Sequence, residues 1–222
     1  MRRVSLAVVV SFLSLHLIAS ASRADLVEFT FNGSVTQVLN LNLAPLTHPL
    51  QSAAVGDSLT LTYVFESSTA DGNGAANTGS YNNAIQSASV SVGSNLFDYD
   101  FLSSGLILVE NDLSGPIDRY RADLFGSDAN GNSLSTFLTL ADSTATVFSS
   151  DALPLTLDLS DFDSQFGQLE LPFAGSTAAV SVSPEIRFQV DSLTVSVVPL
   201  PGAALLGLVG LALAPVVKRR FS

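Results

Sequence analysis

The chain of 222 residues contains no cysteine and no tryptophan. The missing thiols exclude disulfides, thiolate catalysis and cysteine-ligated zinc. Between residues 25 and 198 there is no lysine either, so a phosphate-cradling loop ending in Gly-Lys is excluded. That stretch has a single histidine, His48, too few for a histidine-based zinc site. His48 lies in the loop-like APLTHPL, has no sequence neighbour suggesting a triad, and reads as an exposed loop residue. No G-x-S-x-G occurs. Positive charge is scarce. Residues 25–198 hold all 20 acidic residues and only Arg119, Arg121 and Arg187, a net charge of −17 against −11 for the whole chain. Such a surface repels nucleic acid phosphates and anionic lipid heads, favours solubility and attracts divalent cations.

Long apolar runs occur only at the two ends. Met1-Arg2-Arg3 precedes the uncharged VSLAVVVSFLSLHLI, and small residues follow at Ala19-Ser20-Ala21 and Ser22-Arg23-Ala24. This order defines a secretory signal peptide over residues 1–24, with cleavage expected between Ala24 and Asp25. Its apolar core, about fifteen residues, is short of the roughly 20 a spanning helix needs. It implies passage through the Sec route and a signal peptidase. At the other end, Val198-Pro199-Leu200-Pro201 leads into GAALLGLVGLALAPVV and then Lys218-Arg219-Arg220. As a helix, Leu200 to Val217 would rise roughly 27 Å at about 1.5 Å per residue, barely the thickness of a hydrocarbon core. Lys and Arg stay on the cytoplasmic side, which puts the C-terminus inside and residues 25–197 outside.

The proline signature, short apolar helix and terminal basic cluster, in that order, resemble the PEP-CTERM sorting signal of Gram-negative bacteria. VPLPGAALLGLVGLALAPVVKRR most resembles its VPLPA variant, with Gly202 where that variant has Ala. The resemblance covers residues 198–222. It implies recognition, and cutting near the motif, by an exosortase, a transpeptidase-like membrane enzyme. It also implies a destination in the envelope, biofilm matrix or exopolysaccharide layer. A permanent single-span anchor fits the same residues. A GPI signal would need a polar spacer, and VDSLTVSVV runs straight into the prolines instead.

Residues 25–197 read as one acidic all-β domain. Val27, Phe29 and Phe31 alternate with Glu28, Thr30 and Asn32; Leu59, Leu61, Tyr63 and Phe65 alternate with Thr60, Thr62 and Val64. Phe97, Tyr99 and Phe101 alternate with Asp98 and Asp100, and Leu134, Thr136, Leu138 and Leu140 form another set. Leu106 to Val109 reads as a run buried on both faces. Ile186, Phe188 and Val190 have one parity and Leu193, Val195 and Val197 the other. One pleat cannot bury both sets on one face, so a bulge near Asp191-Ser192 or a crossing between sheets is expected. Asn32-Gly33 signals a tight turn or bulge. Asp71-Gly-Asn-Gly74, Asn111 to Pro116 and Asp128 to Asn132 carry turn chemistry. Short strands between such turns predict an antiparallel two-sheet sandwich, jelly-roll-like, flanked by an N-terminal signal helix and a C-terminal hydrophobic helix. FTFNGSVTQV, VGDSLTLTYVFESS, TGSYNNAI, VENDLSGPIDRY and SSDALPLTLDLSDFDS resemble, less specifically, an exported domain that accompanies such tails, which implies a β-sandwich of unassigned activity.

For chemistry, the sharpest candidate is calcium, a hard cation that takes oxygen ligands on loops. Asp128, Asn130 and Asn132 stand at i, i+2 and i+4, the start of an EF-hand-like spacing, but Ser133 and Thr139 then occupy the places of the glycine and the bidentate Glu. Asp71 with Asn73, and Asp158 with Asp161 and Asp163, offer weaker fragments, and each also reads as an Asx turn or a cap. DLSDFDSQF allows one helical turn capped by Ser160. A glycoside hydrolase needs two carboxylates about 5–10 Å apart, which Glu28, Glu66, Glu110, Glu170 and Glu185 leave open. The expectation is a non-enzymatic structural or interaction protein of the cell surface or matrix, exopolysaccharide among its partners. A carbohydrate- or calcium-binding module is the alternative, and a two-carboxylate hydrolase the least favoured reading.

Overall fold

The computed structural model describes residues 25–112, 115–172 and 183–198. The predicted signal and tail helices lie outside them. Among the described residues there are ten strands and no α-helix: β1 (Leu26–Leu39), β2 (Ser58–Glu66), β3 (Thr78–Asn82), β4 (Ile85–Val92), β5 (Asn95–Asp98), β6 (Phe101–Glu110), β7 (Asp118–Ser127), β8 (Ser133–Asp142), β9 (Ser164–Glu170) and β10 (Glu185–Val198). They form one sheet in the order β3-β6-β7-β8-β9-β10-β1-β2-β4-β5, antiparallel throughout. The all-β antiparallel expectation holds. The hydrogen-bonded ladder is continuous where two separate sheets were expected.

The continuous sheet folds over on itself. Tyr63 of β2 and Tyr120 of β7 stand five places apart in the strand order, yet their hydroxyls are 2.7 Å apart and both rings are fully buried. Phe29 of β1 lies 6.3 Å from the Tyr120 ring. Near the edges, the chain crosses from β3 to β4 in two residues, Asn83 and Ala84, with Asn83 at a left-handed φ of 58°. The alternating side chains of both halves meet inside. Val27, Phe29, Phe31, Leu59, Leu61, Tyr63 and Phe65 face Ile107, Val109, Tyr120, Ala122, Leu124, Leu138 and Leu140, and all are buried.

The parity conflict in β10 is resolved by a bulge. Asn32 pairs with Ser192 and Gly33 with Val190, so Asp191 is the extra residue. Ile186, Phe188 and Val190 are buried, and beyond the bulge Leu193 and Val195 still pack on the core. Gly33 is required there, because a Cβ at that position would sit 1.9 Å from the Gln189 carbonyl oxygen. A second shift, with Thr36 extra on β1, keeps Val35 and Val38 on the same inner face.

Other expectations change. Phe97 and Tyr99 are buried, but Asp98 to Asp100 turns the chain between β5 and β6 and leaves Phe101 68% exposed. In the Leu106 to Val109 run only Ile107 and Val109 are fully buried. The helical turn falls at Leu159–Asp161, and its cap is Asp158, which accepts from the Ser160 N–H, rather than Ser160.

Candidate functional site

The sorting residues Pro199, Leu200, Pro201, Lys218, Arg219 and Arg220, and Ala24 at the cleavage point, lie outside the described residues. Their neighbours Asp25 and Val198 lie within. Val198 is the last residue of β10 and pairs with Leu26, the first residue of β1. Asp25 is exposed, and its carbonyl accepts from Ser67 N–H at 3.0 Å. The segments preceding residue 25 and following residue 198 therefore leave from the same end of the β1–β10 pair.

Asp128, Asn130 and Asn132 are brought together, as a stapled turn. Asp128 Oδ1 accepts from the main-chain N–H of Asn130 (2.9 Å) and Asn132 (2.8 Å), and Oδ2 accepts from the Asn132 side-chain amide at 2.7 Å. Asp128 is buried, and the net effect of these donors over the opposing burial holds its carboxyl below the ordinary value. The other acidic loops use the same device. Asp71 accepts from Asn73 and Ser80, Asp100 from Ala129, Asp118 from Asp112 and Phe148, and Asp163 from Ser143. Asp142 accepts from the main chain and hydroxyls of Thr144 and Thr146, which lower its carboxyl to about 2. Asp118 and Asp142 are cross-strand partners, both buried, tying two loops to one end of the fold. Much of the acidity therefore serves to satisfy loop N–H groups that would otherwise lack partners. Among the described residues no group of three or more His, Asp or Glu could hold a metal ion.

His48 is buried, not exposed. Its Nδ1 accepts from Leu50 N–H at 3.2 Å, which makes Nε2 the donor to the Ser133 carbonyl at 3.1 Å. The ring stacks on Phe97 with centroids 5.5 Å apart. Desolvation lowers its pKa, opposed by the Ser133 carbonyl and the Asp128 charge. It locks the loop after β1 against β5 and β8, with both ring nitrogens taken by main-chain partners.

Of the five glutamates, Glu170 and Glu185 stand directly opposite each other on β9 and β10. Glu170 accepts from Gln168, and Glu185 from Arg187. Glu28 lines a shallow depression with Asp98, Thr62, Ser87 and Ser89 on the outer face of β1, β2, β4 and β5. Glu110 is buried and paired with Arg119. Cross-strand placement was invisible in linear spacing, and both pairs lie on the outer side of the sheet.

The outer face of β7, β8 and β9 holds residues that sequence reading passed over. Arg119, Arg121, Phe137, Thr139, Phe166, Gly167 and Gln168 line a depression of ≈ 270 Å³. Arg121 donates to Asp123 at 2.7 Å. Burial pushes the Asp123 carboxyl up against the opposing effect of Arg121, and its Oδ1 is buried without a partner among the described residues. Phe166 is half exposed.

No family model matches the chain, and neither does a curated protein or a solved structure. Among the described residues no helix is long and apolar enough to cross a membrane.

Proposed function

We propose that the chain is an exported structural or interaction protein of the cell surface or extracellular matrix, without catalytic activity, sorted by an exosortase-type enzyme through residues 198–222. The observation that carries this reading is the pairing of Leu26 with Val198. It sets residues 26 and 198 side by side at one end of the domain, so that a chain held through residues 198–222 would present the opposite end and both outer faces outward. The leader would be a helix removed by signal peptidase, and the tail a short hydrophobic helix with its basic end in the cytoplasm. The folded-over sheet is read as a two-layer, jelly-roll-like sandwich, supported by the contact between Tyr63 and Tyr120 across the interior.

His48 is enclosed and fully engaged, and the loop aspartates are occupied by N–H donors. A second reading, a carbohydrate-binding module, is favoured by the depression between Arg121 and Phe166. Mass spectrometry of the mature C-terminus tests the sorting claim. A species ending near Val198–Gly202 is expected, and an intact Ser222 in the mature protein would overturn cleavage in favour of a lasting anchor.

A further inference from the structure

The depression on β7, β8 and β9 arises from the register. On β8, Thr139 stands opposite Arg121 on one side and Phe166 on the other, and Ala141 stands between Arg119 and Ser164. Small residues on the central strand flanked by guanidiniums and a ring leave a groove along β8. The Phe137 ring closes one end of it, braced edge-on by Phe125 at 5.4 Å. Each guanidinium is anchored by one carboxylate, Arg119 by Glu110 and Arg121 by Asp123, and both side chains remain about a third exposed. A guanidinium has five donors, so an anchored one still offers N–H groups at fixed positions.

From this geometry we infer a binding site for an uncharged glycan strand. A sugar ring offers a C–H face that packs on Phe166 and hydroxyls that accept from the two arginines. Charge selects against the alternatives. All three arginines of residues 25–198 lie on this face, and each is already balanced by Glu110, Asp123 or Glu185. An anionic polymer would gain little from guanidiniums whose charge is already balanced, and it would have to approach a domain of net charge −17. An apolar segment would cover the guanidinium donors without pairing them, which is costly. A neutral, hydroxyl-rich strand meets neither penalty. The site deepens the interaction reading and takes its setting from it, while its chemistry rests on the groove alone.

The test is calorimetric titration of the purified full chain with cellohexaose, mannohexaose, maltohexaose and xylohexaose, with hexagalacturonate as the charged probe. Binding of at least one uncharged hexaose in the millimolar range or tighter is expected. Affinity should fall about tenfold or more in Phe166→Ala and in Arg121→Ala, as for anchors at a recognition surface. Thr139→Tyr, which fills the groove floor with a residue suited to strands, should give the same loss with an unchanged urea midpoint. No heat with any uncharged hexaose, undiminished binding in Phe166→Ala and Thr139→Tyr, or preference for hexagalacturonate would each overturn the site. None of these results alters the mass of the mature C-terminus, so this site and the sorting claim fail separately.

Discussion

The two outer faces of the sheet obey the same alternation and cover the same core, yet they differ in chemistry. Over β1, β2 and β4 the face is hydroxylic. Thr30, Thr62 and Ser89 form one cross-strand row, and Asn32, Thr60 and Ser91 the next, with Thr30 bonded to Thr62 and Thr60 to Asn32. Over β7, β8 and β9 the face carries guanidiniums, phenylalanines and a groove. Ser and Thr satisfy one another and water on an exposed pleat, and nothing further is needed to explain them. An exposed phenylalanine and a concentration of the scarce positive charge are not required by the sheet. The difference is what the proposed glycan site on β7, β8 and β9 would account for.

The largest expected effect removes both faces together. Gly33→Val places a side chain against the Gln189 carbonyl at the bulge joining β1 to β10, and these strands connect the two halves. The backbone must shift or the bulge must open, at a cost of about 3 kcal/mol or more. Urea unfolding should show a much lower midpoint or no folded population. A midpoint within error of the parent would mean that the register at Gly33 is wrong.

The interior link between the halves is smaller and has a diagnostic sign. Tyr63→Phe leaves the buried Tyr120 hydroxyl without its partner, and burial already raises the pKa of both phenols. Each single change to Phe is expected to cost about 1–2 kcal/mol, and the double change less than the sum, because both polar groups then leave together. Additive losses would show that the two hydroxyls do not interact.

Acid should act on the loops before the faces. The unfolded state binds a proton at His48 near the ordinary pKa of 6.5, whereas the folded ring resists it. This contribution is therefore complete above about 6.5 and is lost as pH falls through the lowered folded value. The Asp142 carboxyl, held at about 2, loses its contribution only as pH falls from its ordinary 3.8 toward 2. Two phases of destabilisation are expected in urea midpoints measured from pH 8 to 2, and His48→Gln should remove the upper one. A flat profile between pH 7 and 5 would contradict the enclosed histidine.

Legibility followed locality. Alternation in β1, β2 and β8 identified the buried side chains, and the parity change after Val190 marked where a bulge or a sheet crossing had to fall, because both are properties of a single strand; the pairing with β1 decided for the bulge. The placement of β10 beside β1 could not be read, since more than a hundred residues separate the partners in sequence and only packing decides their order. His48 was misread for the same reason. Its burial depends on Phe97 and Ser133, which approach it only once the sheet folds over. The groove was hidden in register. Arg121, Thr139 and Phe166 are far apart in sequence and line one groove only when β7, β8 and β9 align.

The smallest expected effects on stability discriminate best between the faces. Thr62→Val on the hydroxylic face removes a part-buried hydroxyl contact with Thr30 and retains a β-branched side chain suited to a strand. Phe166→Ala removes a ring that is half exposed. Both changes should move the unfolding free energy by only about 0.5–1 kcal/mol, since neither opens the core. In hexaose titrations the two should part, with Thr62→Val binding as the parent does and Phe166→Ala binding weakly. Equal behaviour of the two variants would erase the functional distinction between the faces and reduce the arginine-bearing side to solvated sheet surface.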